Sequence, residues 1–207
     1  MISEKMQGLV KNSSVIRAMF EEGKRLADIY GAENVYDFSL GNPNVPAPKE
    51  VNQAIIDIVN EENPVYVHGY MSNSGYEDVR ACIAASINRR FGTDFSQNNI
   101  LMTVGAAGGM NAFFKAFINP GDEIITFAPY FGEYRAYASN ADANLVVIPP
   151  DTESFQPDIE ALRNAITPST KVVIINTPNN PTGVIYSEAT LRRIAEVLEC
   201  KQKEFNS

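Results

Sequence analysis

A chain of 207 residues with 44% hydrophobic side chains can bury a sizeable core, and its length suits one domain or part of a larger one. Its 17 Lys and Arg stand against 25 Asp and Glu, a net charge of -8, which argues against nucleic acid or an anionic membrane as partner. Two distant cysteines, Cys82 and Cys200, and a single histidine, His68, leave no disulfide framework and no Cys/His metal centre.

The opening stretch has no unbroken apolar h-region, and no later segment has the length of a membrane span, so the chain reads as soluble and cytoplasmic. In chain order, "SSVIRAMFEEGKRLADIYG" predicts a helix, with Ile16, Met19, Phe20, Leu26, Ile29 and Tyr30 at helical spacing, Ser13 or Ser14 as N-cap, and a stop at Gly31. "VYDFSL" predicts a short strand. The Pro/Gly-dense "GNPNVPAP" then marks a boundary between an N-terminal arm, residues 1–45, and a main domain, residues 46–207. Helices are expected over residues 49–62 and 75–91.

From residue 99 the pattern becomes strand and helix in alternation: strands at "NILMTV", "EIITF", "NLVVIP" and "KVVIIN", and helices after "GAAGG", near 131–140, at 158–166 and from Ser187 to Glu199. Strands apolar on both faces and separated by helices predict an α/β fold with a largely parallel sheet covered by helices. Ligands on such sheets bind beyond the carboxyl ends of the strands. Two conspicuous loops sit there, "GAAGG" at 105–109 and "NTPNNPTG" at 176–183.

Small residues leading into a helix leave main-chain N–H groups free for an anionic group such as a phosphate. The alternative is a tight turn whose Gly and Ala residues only allow close packing. A Walker loop is excluded, because Met110 and Asn111 follow where Lys and Ser or Thr are required. Likeness to the cofactor loop of short-chain dehydrogenases is weak, because there the loop follows the first strand.

"NTPNNPTG", read with "GAAG" at 105–108, "NPGDEIITFAPYFGEY" at 119–134 and "GYMSNSGYEDVR" at 69–80, resembles the class I and II aminotransferases, fold type I enzymes dependent on pyridoxal 5'-phosphate. The resemblance runs from about residue 30 to 200 and implies the N-terminal half of such an enzyme, with part of its large domain. It implies that Gly105, Ala106, Ala107 and Gly108 hold the cofactor phosphate through main-chain N–H groups. Many members have a hydroxyl residue where Ala106 stands, so the grip would be more purely backbone. Phe131 would stack on the pyridine ring, and Tyr130 and Tyr134 read as helix packing. Asn180 would donate its amide to the cofactor's phenolic oxygen, the alternative being an Asx turn. Tyr70 would reach the phosphate of a partner subunit's cofactor in a homodimer, and Gly41 would lie near the substrate carboxylate; a core tyrosine and a turn glycine are the alternatives. His68 reads as structural or exposed.

The same resemblance requires a Schiff-base lysine, an aspartate on the pyridine nitrogen and an arginine for the substrate carboxylate. None of the lysines, Lys115 and Lys171 included, stands in the family's context for that role. No catalytic residue is therefore assigned. An aminotransferase would use amino acid and 2-oxo acid substrates; the alternatives are a noncatalytic aminotransferase-like binding domain and a lyase of the same fold. The bond from Asn180 to Pro181 is expected to be cis, since X–Pro amides favour trans by only about 0.5–1 kcal/mol, and the bond from Ala128 to Pro129 is a second candidate.

Overall fold

The computed structural model describes residues 2–12, 14–36, 38, 41 and 45–206. The chain folds as two compact units, Met1–Tyr70 and Met71–Ser207. The first consists of helices: α1 (Glu4–Asn12), α2 (Ser14–Tyr30), α3 (Lys49–Glu61) and α4 (Pro64–His68), with a 3-10 turn at Ala32–Asn34. As expected, α2 stops before Gly31, whose φ of 85° suits a residue without a Cβ. Of its two candidate caps, Ser13 lies outside the described residues. The short α4, not foreseen, begins with Pro64 at its first turn, and the Asn63 side chain accepts from the Val65 N–H at 2.9 Å. In the stretch read as "VYDFSL", Val35, Tyr36 and Phe38 form no strand, while Asp37, Ser39 and Leu40 lie outside the described residues, as do Asn42, Pro43 and Asn44 of the following loop.

Every buried apolar side chain among the described residues belongs to the second unit. That unit carries α5 (Glu77–Phe91), a 3-10 turn (Gln97–Asn99), α6 (Gly105–Phe117), β1 (Glu123–Phe127), α7 (Glu133–Asn140), β2 (Asn144–Ile148), α8 (Ile159–Ala165), β3 (Thr170–Val173) and α9 (Glu188–Phe205). The three strands form one parallel sheet in the order β2-β1-β3. Three of the four apolar runs read as covered strands form this sheet, and β1 at its centre is the most deeply buried.

Alternation along β1 explains the two cores. Ile125 and Phe127 point to one face, where Leu162 of α8 and Ile194 and Val197 of α9 close over them. Ile124 points to the other, against Phe114 of α6 and Tyr134 and Ala138 of α7. Leu162, Ile124 and Ile125 are completely buried, each contributing about 1.5–3 kcal/mol relative to exposure. Two side-chain caps set helix starts: Asp158 accepts from the Ala161 N–H and Ser187 from the Thr190 N–H.

A second expected strand is absent as well. Of the expected strand over residues 99–104, Asn99 closes the 3-10 turn and Ile100–Val104 forms no ladder, although Ile100 has extended backbone angles, because no described strand lies alongside it. Its Met102 N–H donates instead to the Ser74 carbonyl at 3.0 Å. An apolar, β-prone sequence supplies the conformation, and only a neighbour supplies the hydrogen bonds.

Candidate functional site

Three connections at the carboxyl side of the sheet build the site, all within the second unit. The first is the entry to α6. Gly105 sits at φ +65°, a region L side chains rarely adopt. A Cβ on Gly109 would come within 3.2 Å of Thr103 Oγ1, so the absence of side chains lets the first turn lie close on the preceding segment. Within that turn the Gly105 N–H donates to Thr103 O at 2.9 Å and the Gly108 N–H to Val104 O at 3.3 Å. The N–H groups of Ala106 and Ala107 have no partner among the described residues. Two adjacent donors at the positive end of a 13-residue helix, masked by nothing larger than methyl groups, suit an anion.

The second connection follows β1. The bond from Ala128 to Pro129 is cis, as the sequence led us to expect. Phe131 follows two residues on and is 37% exposed. Behind it α7 stacks Tyr134, whose ring meets Phe131 edge-on with centroids 5.7 Å apart and planes at 84°. Tyr134 belongs to the core around Ile124, in line with its reading as a packing residue. Tyr130 stacks on it at 6.3 Å and accepts a hydrogen bond from Arg135 at 3.0 Å. Burial, and next the neighbouring Tyr137, pushes the Tyr134 phenol above its ordinary pKa, so it stays protonated.

The third connection is "NTPNNPTG". The bond from Asn180 to Pro181 is cis, as expected, and so is that from Thr177 to Pro178, which was not foreseen. Asn179 closes the corner from inside. It is buried, its side-chain oxygen accepts from the Thr182 N–H at 3.2 Å and the Thr182 hydroxyl at 2.9 Å, and its main chain exchanges hydrogen bonds with Val184 and Gly183. Thr177 accepts from the Tyr186 N–H at 2.9 Å, tying the two ends of the loop. Asn180 is held by its backbone N–H, which donates to Asn176 Oδ1 at 2.7 Å. Its own side-chain amide is exposed and has no partner among the described residues. The Asx-type closure that the sequence offered as the alternative role for Asn180 is thus carried by Asn179 and Asn176.

Ala106, Ala107, Phe131 and Asn180 meet in one cleft of ≈ 380 Å³, together with Met110, Tyr134, Tyr137 and Asn176. Gly105 and Gly108 flank the two alanines in the same helical turn. Among the described residues no lysine lines this cleft. Gly41 and Tyr70 belong to the first unit, where both are exposed. Volume does not single the cleft out, since a groove of ≈ 390 Å³ lies between β3 and α9. Its chemistry does: free main-chain donors, a partly exposed aromatic face and an unpaired amide converge in it. Sequence reasoning gave no role to Tyr137 or Asn176. Their signals were present, because Tyr137 lies one helical turn beyond Tyr134 and Asn176 opens the octet that Asn180 ends in function. Among the described residues no helix is long and apolar enough to cross a membrane, and no cluster of three metal-ligating side chains occurs.

A parallel sheet with a glycine-led helix start, an aromatic after the next strand and an Asn-Pro corner after a further one defines an α/β unit of the fold type I aminotransferases. Residues 32–203 match the family described as aminotransferase class I and II, and the chain belongs to that family. Class I aminotransferases depend on pyridoxal phosphate. The probable N-succinyldiaminopimelate aminotransferase DapC of Mycobacterium tuberculosis is 35% identical over 182 residues, which cover 86% of this chain and 44% of that protein. The aspartate aminotransferase of Pyrococcus horikoshii is 31% identical over 192 residues, 92% of this chain and 46% of that one. An aminotransferase of known structure from Eubacterium rectale superposes with a TM-score of 0.95 at 46% identity, over 100% of this chain and 52% of its own. The chain spans about half the length of the relatives it matches.

Proposed function

We propose that this chain is the N-terminal portion of a pyridoxal-phosphate-dependent aminotransferase that moves an amino group between an amino acid and a 2-oxo acid. In this reading residues 1–45 are the N-terminal arm with part of the small domain, and residues 46–207 are an incomplete cofactor-binding domain. The observation that carries it is the convergence of the Ala106 and Ala107 N–H groups, the Phe131 ring and the free Asn180 amide in one cleft.

The residues fit the group. Ala106 and Ala107 would receive the phosphate, with Gly105 and Gly108 shaping the turn that presents their N–H groups. Phe131 would lie on the ring face and hold its plane by dispersion. Asn180 would donate to the ring's phenolic oxygen, stabilising the phenolate form. When bound, the cofactor supplies an electron sink for the bond broken at the substrate's Cα. This chain would bind and orient it. Proton movement needs a base, and among the described residues no lysine lines the cleft, so we expect the chain to be inactive by itself. Tyr70 would act across a homodimer, Gly41 near the substrate carboxylate, and the whole protein would work in the cytoplasm, a placement that suits its two free cysteines.

The absence of a lysine from the cleft also favours a second reading, a noncatalytic binding domain. One experiment addresses both. The 207-residue chain is titrated with pyridoxal phosphate, treated with borohydride, and assayed with an amino acid and a 2-oxo acid. Reversible binding with neither turnover nor a borohydride-fixed lysine is expected of the chain alone, and joining it to the remaining half of a relative should restore turnover if the aminotransferase reading holds. No turnover from a folded, cofactor-loaded joined protein would favour the binding domain. Turnover or a specific lysyl adduct in the chain alone contradicts the assignment of the missing base.

A further inference from the structure

Tyr134 combines three features that no packing role requires together. It is only 8% exposed, it lines the cleft, and its hydroxyl has no hydrogen-bond partner among the described residues. Its neighbours are rings: Tyr130 stacked at 6.3 Å, Phe131 edge-on at 5.7 Å and Tyr137 tilted at 6.4 Å. The Tyr134 N–H donates to the Phe131 carbonyl at 3.0 Å, which ties the start of α7 to the cleft. Buried hydroxyls are ordinarily paired, because leaving one unsatisfied costs about 1–3 kcal/mol. A phenylalanine would fill the same core space without that cost.

We propose that Tyr134 is a further binding residue of this cleft: its hydroxyl donates a hydrogen bond to an acceptor on the ring end of the bound heteroaromatic phosphate, while its ring holds Phe131 in place. The inference rests on the proposed reading of the cleft. Position assigns the ring end. Tyr134 touches Phe131, the stacking residue, whereas the free N–H groups of Ala106 and Ala107 mark the phosphate end. The protonated state that burial enforces keeps the phenol a donor. A hydroxyl that is unpaired in the free protein and paired in the complex stores binding energy, since its desolvation is met during folding and its partner arrives with the ligand.

The signature is a pair of opposite effects in one variant. Tyr134→Phe keeps the ring and removes the oxygen. Without ligand, its thermal midpoint should equal or exceed that of the wild-type chain, because an unpaired buried group has been deleted. Its affinity for pyridoxal phosphate should fall about tenfold, the weight of one hydrogen bond. Affinity for inorganic phosphate, used as a second probe, should not change. Tyr134→Leu, which also removes the edge-on contact, should weaken pyridoxal phosphate binding further than Tyr134→Phe does. Unchanged pyridoxal phosphate affinity in Tyr134→Phe, with normal wild-type binding, overturns this inference alone. So does a parallel loss of ligand-free stability or of phosphate affinity, either of which makes the residue merely structural. A wild-type chain that binds no pyridoxal phosphate overturns the reading of the cleft, and this inference with it.

Discussion

The backbone N–H of Asn180 donates to the side-chain oxygen of Asn176 at 2.7 Å, while the Asn180 side-chain amide has no partner among the described residues. One asparagine thus aims the other. The two should separate on mutation. Asn180→Ala removes an exposed, unpaired group and should leave stability within about 0.5 kcal/mol of wild type, while weakening pyridoxal phosphate binding. Asn176→Ala should cost about 1 kcal/mol of stability and weaken binding as well, because the corner no longer fixes Asn180. Thermal melts beside ligand titrations of both variants check this.

Asn179 differs from its neighbour in being buried and in having its oxygen shared by two donors from Thr182. Asn179→Leu leaves both donors inside the loop without an acceptor. We expect a loss of about 1–3 kcal/mol in urea unfolding. A change below the error of the measurement would show that water replaces the asparagine oxygen freely.

Gly75 has φ +94°, and a Cβ there would run into the Met102 side chain. Its carbonyl accepts from the Ser72 hydroxyl at 2.6 Å and from Arg80 Nε at 3.1 Å, and Arg80 Nη1 reaches Gln97 O at 2.6 Å. This knot joins the start of α5 to the segment that leads to the first turn of α6. Gly75→Ala should cost at least about 1–2 kcal/mol from the backbone alone. Arg80→Met should cost about 1.5–3 kcal/mol, since the arginine is buried and both bonds are charge-assisted. Chemical denaturation of the two variants measures both.

Titration of two phenols gives the fold an alkaline limit. Burial raises the pKa values of Tyr134 and Tyr186 above the ordinary 10.0. Above pH 10 the unfolded chain releases protons that the folded chain retains, so stability is fully present below that pH and falls as pH rises toward the folded-state values. Tyr134→Phe and Tyr186→Phe should each flatten the fall. Stability profiles from pH 8 to 12 test the sign, and a profile that rises above pH 10 contradicts it.

Much of this was legible in the sequence, and the exceptions share a cause. The strands around Ile124, Val146 and Val172 could be read because each carries its own apolar run and finds a neighbour in the chain. The strand expected over residues 99–104 could not be judged alone, since a ladder needs a second strand. Phe131 and Asn180 were singled out through their motifs, and the fold brings both to one cleft. The unpaired Tyr134 hydroxyl was invisible, because a sequence shows that a tyrosine is present and not whether its oxygen has a partner. The free N–H groups at Ala106 and Ala107 show the same limit: a glycine-rich turn offers four donors, and only the fold reveals that Thr103 and Val104 take two of them.

The most direct test is a titration of the isotopically labelled chain with pyridoxal phosphate, followed by nuclear magnetic resonance of its amides and aromatic rings. The account predicts that the largest shifts fall on the Ala106 and Ala107 backbone amides, the Asn180 side-chain amide and the Phe131 ring, and that inorganic phosphate moves the first pair alone. Shifts concentrated in the groove between β3 and α9, with the Ala106, Ala107 and Asn180 amides unmoved, would contradict it.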